Sequence, residues 1–229
     1  MRSKQSGFTL VEIAIVLVII GLLLGGVLKG QELINSAKVK NFSTDFRNIP
    51  LFIYGYQDKF RALPGDDVNV VAHLGATATL ATTPANGQGN GSIQGAWNST
   101  TVTDESVLFW QHVRLAGLAS GVTVAPTAAT IEAFRPKNAD GGIIGITSVA
   151  NSPITGMQGT YIVCSEGILG KFAKQLDISM DDGNTTTGAV RVMPVVARDQ
   201  LAAVAAVDGA DAVTNPNFDS TAYTVCMSI

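Results

Sequence analysis

The sequence has few charged residues. Only 14% of its 229 residues are charged, against about 25% in an ordinary soluble domain. The 18 acidic side chains outnumber the 15 basic ones, and the net charge is -3. The lack of a basic excess excludes a protein that holds nucleic acid through a general positive field. A disordered chain is excluded as well, because 46% of the residues are hydrophobic.

Residues that commonly carry catalysis or bind metals are also scarce. The chain has two cysteines, Cys164 and Cys226, and two histidines, His73 and His112. It contains no G-x-S-x-G motif, no P-loop and no dinucleotide fingerprint. Neither cysteine has a histidine or a second cysteine at metal-ligand spacing. We therefore expect that the chain is not an enzyme and has no resident cofactor. His112 is expected to pack within a helix or to lie on its surface.

The apolar residues are concentrated near the N terminus. Residues 8–28 have the sequence FTLVEIAIVLVIIGLLLGGVL, in which 16 of 21 residues are apolar and Glu12 is the only charge. As a helix this segment is about 32 Å long, which matches the hydrocarbon core of a bilayer. Arg2 and Lys4 precede it, so the positive-inside rule places the N terminus in the cytoplasm and the rest of the chain across the membrane.

Two ordinary explanations of this segment fit poorly. A secretory signal peptide has a shorter apolar core, followed by a small-x-small cleavage site, and neither is present here. A simple single-pass anchor accounts for the length but not for Glu12. A carboxylate near the centre of a membrane helix costs at least ~2.5 kcal/mol, which makes it a functional candidate by default.

Residues Gly7-Phe8-Thr9-Leu10-Val11-Glu12 resemble the processing motif of prepilins, the precursors of type IV pilins and of type II secretion pseudopilins. The resemblance implies that a prepilin peptidase cleaves after Gly7 and N-methylates Phe8. It also implies that the helix leaves the bilayer to form the core of a helical filament. There Glu12 would neutralise the Phe8 amine of a neighbouring subunit, since either charge alone would be unpaired in a low-dielectric core.

A second stretch of helical spacing follows the apolar run. It predicts an amphipathic helix whose apolar face contains Leu33, Ala37, Phe42, Phe46, Ile49, Ile53, Tyr56 and Phe60. Pro50 is expected to kink this helix, and the sequence ALPGDD at residues 62–67 is expected to end it. The predicted organisation is a leader at 1–7, a transmembrane or filament-core helix at 8–28, an amphipathic helix at 29–63 and a globular head at 64–229.

The head is predicted to be α+β. Long polar loops extend to about residue 103, and Asp104 is placed to cap a helix that Gly117 or Gly121 ends. Short β-prone runs follow, at 142–147, 160–164, 188–193 and 223–228. Residues 168–176 are predicted to form a short helical turn, and the alanine-rich residues 199–207 a helix. The overall prediction is a long N-terminal hydrophobic helix of type IV pilin kind, packed by its C-terminal half against a small antiparallel sheet.

Two groups of residues are candidates for sites in this head. Because the resemblance implies export to an oxidising compartment, we expect Cys164 and Cys226 to form a disulfide, with two buried free thiols as the alternative. Asp66 and Asp67, together with the loop at 86–90, offer hard oxygen ligands for calcium, as do residues 181–184. The glycine-rich loop carries no carboxylate, so a turn without an ion is favoured.

The function that the resemblance implies is structural. We expect a subunit of a type IV pilus-like extracellular filament, assembled from the bacterial inner membrane after cleavage between Gly7 and Phe8. The implied partners are other copies of the chain, the prepilin peptidase, the inner-membrane assembly machinery and the bilayer, with no nucleic acid. One alternative is a type II secretion pseudopilin in a periplasmic pseudopilus that acts as a piston. Another is a membrane-anchored binding domain that does not polymerise.

Overall fold

A computed structural model describes residues 10–85, 87–209 and 215–229 of the chain. The contacts divide the chain into two compact units, one ending at Lys38 and the other starting at Val39. The longest element, α1, runs from Leu10 to Phe60 and contributes to both.

The first unit is helical throughout its described residues. The large apolar side chains between Leu10 and Leu28 are exposed, and by length and composition α1 is able to cross a membrane. Lys29 and Glu32 form an exposed ion pair at 2.7 Å, at the point where the sequence changes from apolar to mixed. So large an apolar surface is characteristic of a segment that is covered by lipid or by other chains.

The second unit buries one face of its part of α1. The buried residues recur at alternating spacings of four and three, namely Phe42, Phe46, Ile49, Ile53 and Tyr56. The predicted amphipathic face is thus present from residue 42 onward, whereas Leu33 and Ala37 are exposed. Pro50 lies within the continuous helix. The helix ends at Phe60, and the next residue, Arg61, has a left-handed φ of 55°.

The other helices are shorter. α3 spans Glu105–Leu115 and α5 spans Gly170–Met180, while α2 and α4 are single turns at Val70–Leu74 and Ile131–Phe134. Short 3-10 turns occur at Val149–Asn151 and Phe218–Ser220.

Four strands form one antiparallel sheet in the order β1-β2-β4-β3. They are β1 Ile144–Ser148, β2 Tyr161–Leu169, β3 Val190–Pro194 and β4 Ala222–Ser228. Each strand overlaps one of the segments predicted from the sequence. The predicted α+β class, with an apolar N-terminal helix and a small antiparallel sheet, is confirmed.

Both faces of this sheet are buried. Side chains alternate across a strand, so adjacent residues of β2, β3 and β4 contribute to two different cores. The larger core contains Phe42 and Phe46 of α1 and Phe109 and Trp110 of α3, and the sheet adds Val163, Val192 and Val225. The smaller core lies around Trp97, and the sheet adds Cys164, Met193 and Cys226.

The helix predicted at residues 199–207 is wrong, because this segment pairs with other parts of the head. The N–H of Val204 donates to the carbonyl oxygen of Pro153, and its own carbonyl oxygen accepts from the N–H of Thr155, both at 2.9 Å. The N–H of Val207 donates to the carbonyl oxygen of Val192 in β3 at 2.8 Å. These tertiary hydrogen bonds outweigh the helix propensity of alanine, and they cover part of the edge strand β3.

Asp104 precedes α3 as predicted, but its side chain makes no capping hydrogen bond. One carboxylate oxygen accepts from the hydroxyl of Ser99 at 2.6 Å, and the other accepts from the hydroxyl of Thr83. The carboxylate therefore joins two loops to the start of the helix instead of capping it.

Candidate functional site

Glu12 lies in the first turn of α1. The residues three and four positions further along, Ile15 and Val16, are apolar and about half exposed, at 55% and 49%. The carboxylate therefore occupies an otherwise apolar helix surface. The predicted cleavage and methylation residues, Gly7 and Phe8, lie outside the described residues.

Three glycines interrupt the apolar part of α1. A Cβ atom added at Gly21, Gly25 or Gly26 would meet no atom within 4 Å. Nothing in the part of the chain that the structure describes therefore requires glycine at these positions, although glycine lowers helix propensity by up to ~1 kcal/mol relative to alanine. Small residues allow helices to approach closely in membranes, so these positions suit contacts with other helices.

In the head, Asp66 holds the glycine-rich loop. Its carboxylate accepts hydrogen bonds from the backbone N–H groups of Gly89, of Asn90 at 3.2 Å and of Gly91 at 2.7 Å. The structure thus brings together Asp66 and the loop that the sequence grouped as calcium candidates, and backbone dipoles compensate the carboxylate charge. Asn86 of this loop lies outside the described residues.

Asp67 is also engaged by the protein. One carboxylate oxygen accepts from the hydroxyl of Tyr56 at 2.7 Å and lies 2.6 Å from Nδ1 of His73, and the other accepts from the N–H of Asn69 at 2.9 Å. Burial raises the pKa of Tyr56, and the neighbouring carboxylate raises it further. A cleft of 660 Å³ opens beside Asp66, Asp67 and His73. The hydrogen bonds show that both aspartates have a structural role in the head.

Glu105, the first residue of α3, is fully buried. Its Oε2 accepts from the N–H of Gln94 at 2.7 Å, and the carboxyl group also interacts with the Asp66 side chain through a hydrogen bond. Burial raises the pKa of Glu105 to about 8, and the Asp66 and Asp104 carboxylates add to this, against the opposing effect of the Gln94 hydrogen bond. Glu105 is therefore mostly protonated at neutral pH. The sequence indicated only an acidic first turn, because a linear pattern does not show that this turn is buried.

Cys164 and Cys226 are joined by a disulfide. They lie directly opposite each other on β2 and β4, and both are completely buried. The bridge connects the two central strands of the sheet on the side of the smaller core.

A group of acidic residues near the end of α5 was only partly identified from the sequence. Asp181 and Asp182 belong to the candidate turn at residues 181–184, and the structure adds Asp177, whose carboxylate lies next to theirs. The three ligand atoms, one from each residue, lie within 4.8 Å of one another. Helical spacing of four residues from Asp181 is the signal that identifies Asp177 in retrospect.

Residues 2–28 match a family model described as the prokaryotic N-terminal methylation motif. This motif is the signal of type IV pilins and pseudopilins, and the matched segment contains Gly7, Phe8 and Glu12. No curated protein and no solved structure matches the chain. The motif and the apolar helix that carries it indicate a pilin-like or pseudopilin precursor held in a membrane.

Proposed function

We propose that the chain is a prepilin whose mature form is a structural subunit of a type IV pilus-like extracellular filament. A prepilin peptidase removes residues 1–7 and methylates Phe8. The helix at 8–28 then moves from the inner membrane into the filament core, and the head forms the filament surface. The match of residues 2–28 to the methylation motif carries this proposal.

The described part of the helix supports an exchange of lipid for protein contacts. Its apolar side chains are exposed, so neighbouring helices can cover the surface that lipid covers in the precursor. Glycines 21, 25 and 26 leave room for close approach. Glu12 supplies the negative charge that complements the methylated amine of a neighbouring subunit.

A pilus is favoured over a type II secretion pseudopilus by the disulfide between β2 and β4 and by the low charge of the chain. Electron microscopy of sheared cell surfaces distinguishes the two. The proposal predicts long surface fibres that contain this chain. Short periplasmic assemblies would instead identify a pseudopilin, and the absence of any assembly would identify an anchored binding domain.

The maturation step is tested by mass spectrometry of the filament protein. We expect a chain that begins at an N-methylated Phe8. A chain that retains Met1 in the filament would contradict the proposed processing.

The assembly step is tested by replacing the carboxylate in Glu12→Gln. This change keeps the size of the side chain and removes its charge. We expect membrane insertion to persist and the yield of sheared filaments to fall by about tenfold or more, because the methylated amine of the neighbouring subunit would remain unpaired. Glu32→Gln is the matched control, because it removes an exposed carboxylate of the same helix. Wild-type filament yields from Glu12→Gln would overturn the role assigned to Glu12.

A further inference from the structure

Arg114, in the last turn of α3, is a buried cation. In the part of the chain that the structure describes, it forms no ion pair with a carboxylate. Its Nη1 donates to the carbonyl oxygen of Val122 at 3.2 Å, while its Nε is buried with no hydrogen-bond partner. A guanidinium carries five N–H donors, so most of the donors of Arg114 are unused. A buried arginine without a partner of opposite charge is rare.

Asp45 of α1 is a second charged residue without a partner of opposite charge. It is half-buried, and no lysine or arginine of the described residues forms an ion pair with it. Burial raises the pKa of its carboxyl group above the ordinary value. The carboxylate is therefore partly removed from water without a cation, Arg114 included, that compensates its charge.

Both residues line the same pocket beside α1. They are the only charged ones among the described residues that line it, and apolar side chains such as Phe52, Trp110 and Ile144 form much of the remaining wall. The pocket has a volume of 210 Å³, which is below the range of about 300–1,000 Å³ that is typical of sites for drug-sized ligands. Its occupant is therefore a small molecule.

We propose that this pocket binds a free α-amino acid with an apolar side chain. The carboxylate of the ligand accepts hydrogen bonds from Arg114, whose planar guanidinium matches the geometry of a carboxylate. The ammonium group of the ligand pairs with Asp45. Its apolar side chain lies against the wall that Phe52 and Trp110 form.

A ligand with a single charge fits the pocket less well. An anion compensates Arg114 and leaves Asp45 without a partner, and an amine does the reverse. A charge that is removed from water and left unpaired is costly, so a zwitterion is the small ligand that compensates both residues at once. The bound ligand connects α1 to α3 within the head. This inference does not depend on the proposed filament role, so either can fail alone.

Calorimetric titration of the full-length chain in detergent tests the pocket, with L-leucine as the probe. We expect one molecule per chain with a Kd of about 1 mM or tighter, and saturating L-leucine should raise the melting temperature. Two analogues separate the two charges of the ligand. N-acetyl-L-leucine lacks the ammonium group and L-leucinamide lacks the carboxylate, so each should bind at least about tenfold more weakly than L-leucine.

Two variants link the binding to these residues. Asp45→Asn removes a partly desolvated charge and keeps the size of the side chain, so folding should be retained. The affinity for L-leucine should fall by about tenfold or more, whereas the affinity for N-acetyl-L-leucine should not change. Arg114→Gln should weaken the binding of both compounds. Because Arg114 is buried, Asp45→Asn decides the test if Arg114→Gln does not fold.

Asp58→Asn is the matched control, since Asp58 is an exposed aspartate of the same helix as Asp45, and it should bind L-leucine as the wild type does. If L-leucine neither releases heat nor shifts the melting temperature of the wild type, the proposal is wrong. Equal affinities for L-leucine and N-acetyl-L-leucine would identify an anion site, and equal affinities for L-leucine and L-leucinamide a cation site. Either result, or unchanged L-leucine binding in Asp45→Asn, would overturn the proposal.

Discussion

The backbone N–H of Gly65 donates a hydrogen bond of 2.8 Å to Nδ1 of the buried His112. Nε2 of the same ring donates to the carbonyl oxygen of Thr79 at 2.9 Å. Both bonds require the neutral ring with its hydrogen on Nε2. Gly65 has a φ of 93°, and a Cβ there would collide with the backbone of Glu105. The turn after α1 is thus fixed closely against α3, and His112 has a packing role.

This arrangement predicts a pH-dependent role of His112 in stability. Burial lowers the pKa of His112 below its ordinary value of 6.5. Between the folded and unfolded pKa values the unfolded state binds more protons, so the wild type loses stability as the pH falls below about 6.5. His112→Gln cannot titrate. This variant should lower the free energy of unfolding by about 1–3 kcal/mol at pH 7. The difference in stability between the variant and the wild type should become smaller toward pH 5, as measured by thermal unfolding followed by circular dichroism. A gap that does not change with pH would contradict the prediction.

Glu105 predicts a pH dependence of the opposite sign. Its pKa rises from 4.5 to about 8 in the folded state, so between these values the folded state binds more protons. The stability of the wild type should therefore fall as the pH rises through this window. Glu105→Gln lacks this decline and should gain stability relative to wild type as the pH rises, in chemical unfolding at several pH values. Glu32→Gln, which changes an exposed carboxylate, should follow the wild type throughout.

The disulfide is predicted to contribute strongly to the stability of the head. Cys164 and Cys226 are 62 residues apart in sequence, and closing a loop of this length stabilises by about 4 kcal/mol in the chain-entropy model. The double variant Cys164→Ala/Cys226→Ala introduces no buried hydroxyl group and should lose about that amount in urea unfolding. A loss below about 1 kcal/mol would show that the constraint on the unfolded chain is unimportant here.

A side chain added at Gly145 is predicted to clash with its surroundings in β1. A Cβ there would overlap the carbonyl oxygen of Trp97, at a point where Gly145 pairs with Cys164 of β2. Gly145→Ala should therefore destabilise the head by about 3 kcal/mol or more. Gly30→Ala is the control, because a Cβ at Gly30 meets no atom within 4 Å. It should be neutral or stabilising by up to ~1 kcal/mol in the same unfolding assay.

The helices and strands that depend on the local apolar periodicity of the sequence were predictable. The aromatic stripe from Phe42 to Tyr56 is buried, and each apolar β-prone run became a strand, because apolar periodicity selects the side that faces a core. The alanine-rich segment at 199–207 was not predictable, since its conformation depends on hydrogen bonds to residues such as Pro153 and Val192.

The candidate sites also differ in whether local sequence or tertiary packing determines them. The processing motif is contiguous, so it is visible in sequence and the family model finds it. The burial of Glu105 and Asp177 depends on what packs over them, and sequence distance contains no information about that. Asp66 was identified as a polar ligand, but its binding to backbone N–H groups depends on how the loop at 87–91 folds back.

The strand order has a consequence for how the head folds. β3 is an edge strand whose strand partner is β4 alone, and β4 also lies next to β2. The strand at residues 222–228, β4, therefore has to pair with β2 before β3 can become part of the same sheet. Because these pairings are distant in sequence, assembly of the sheet should be the slow phase of folding. Until then, the backbone N–H and C=O groups along the edges of β2 and β3 remain unpaired, so the newly made chain is most prone to aggregation during this interval.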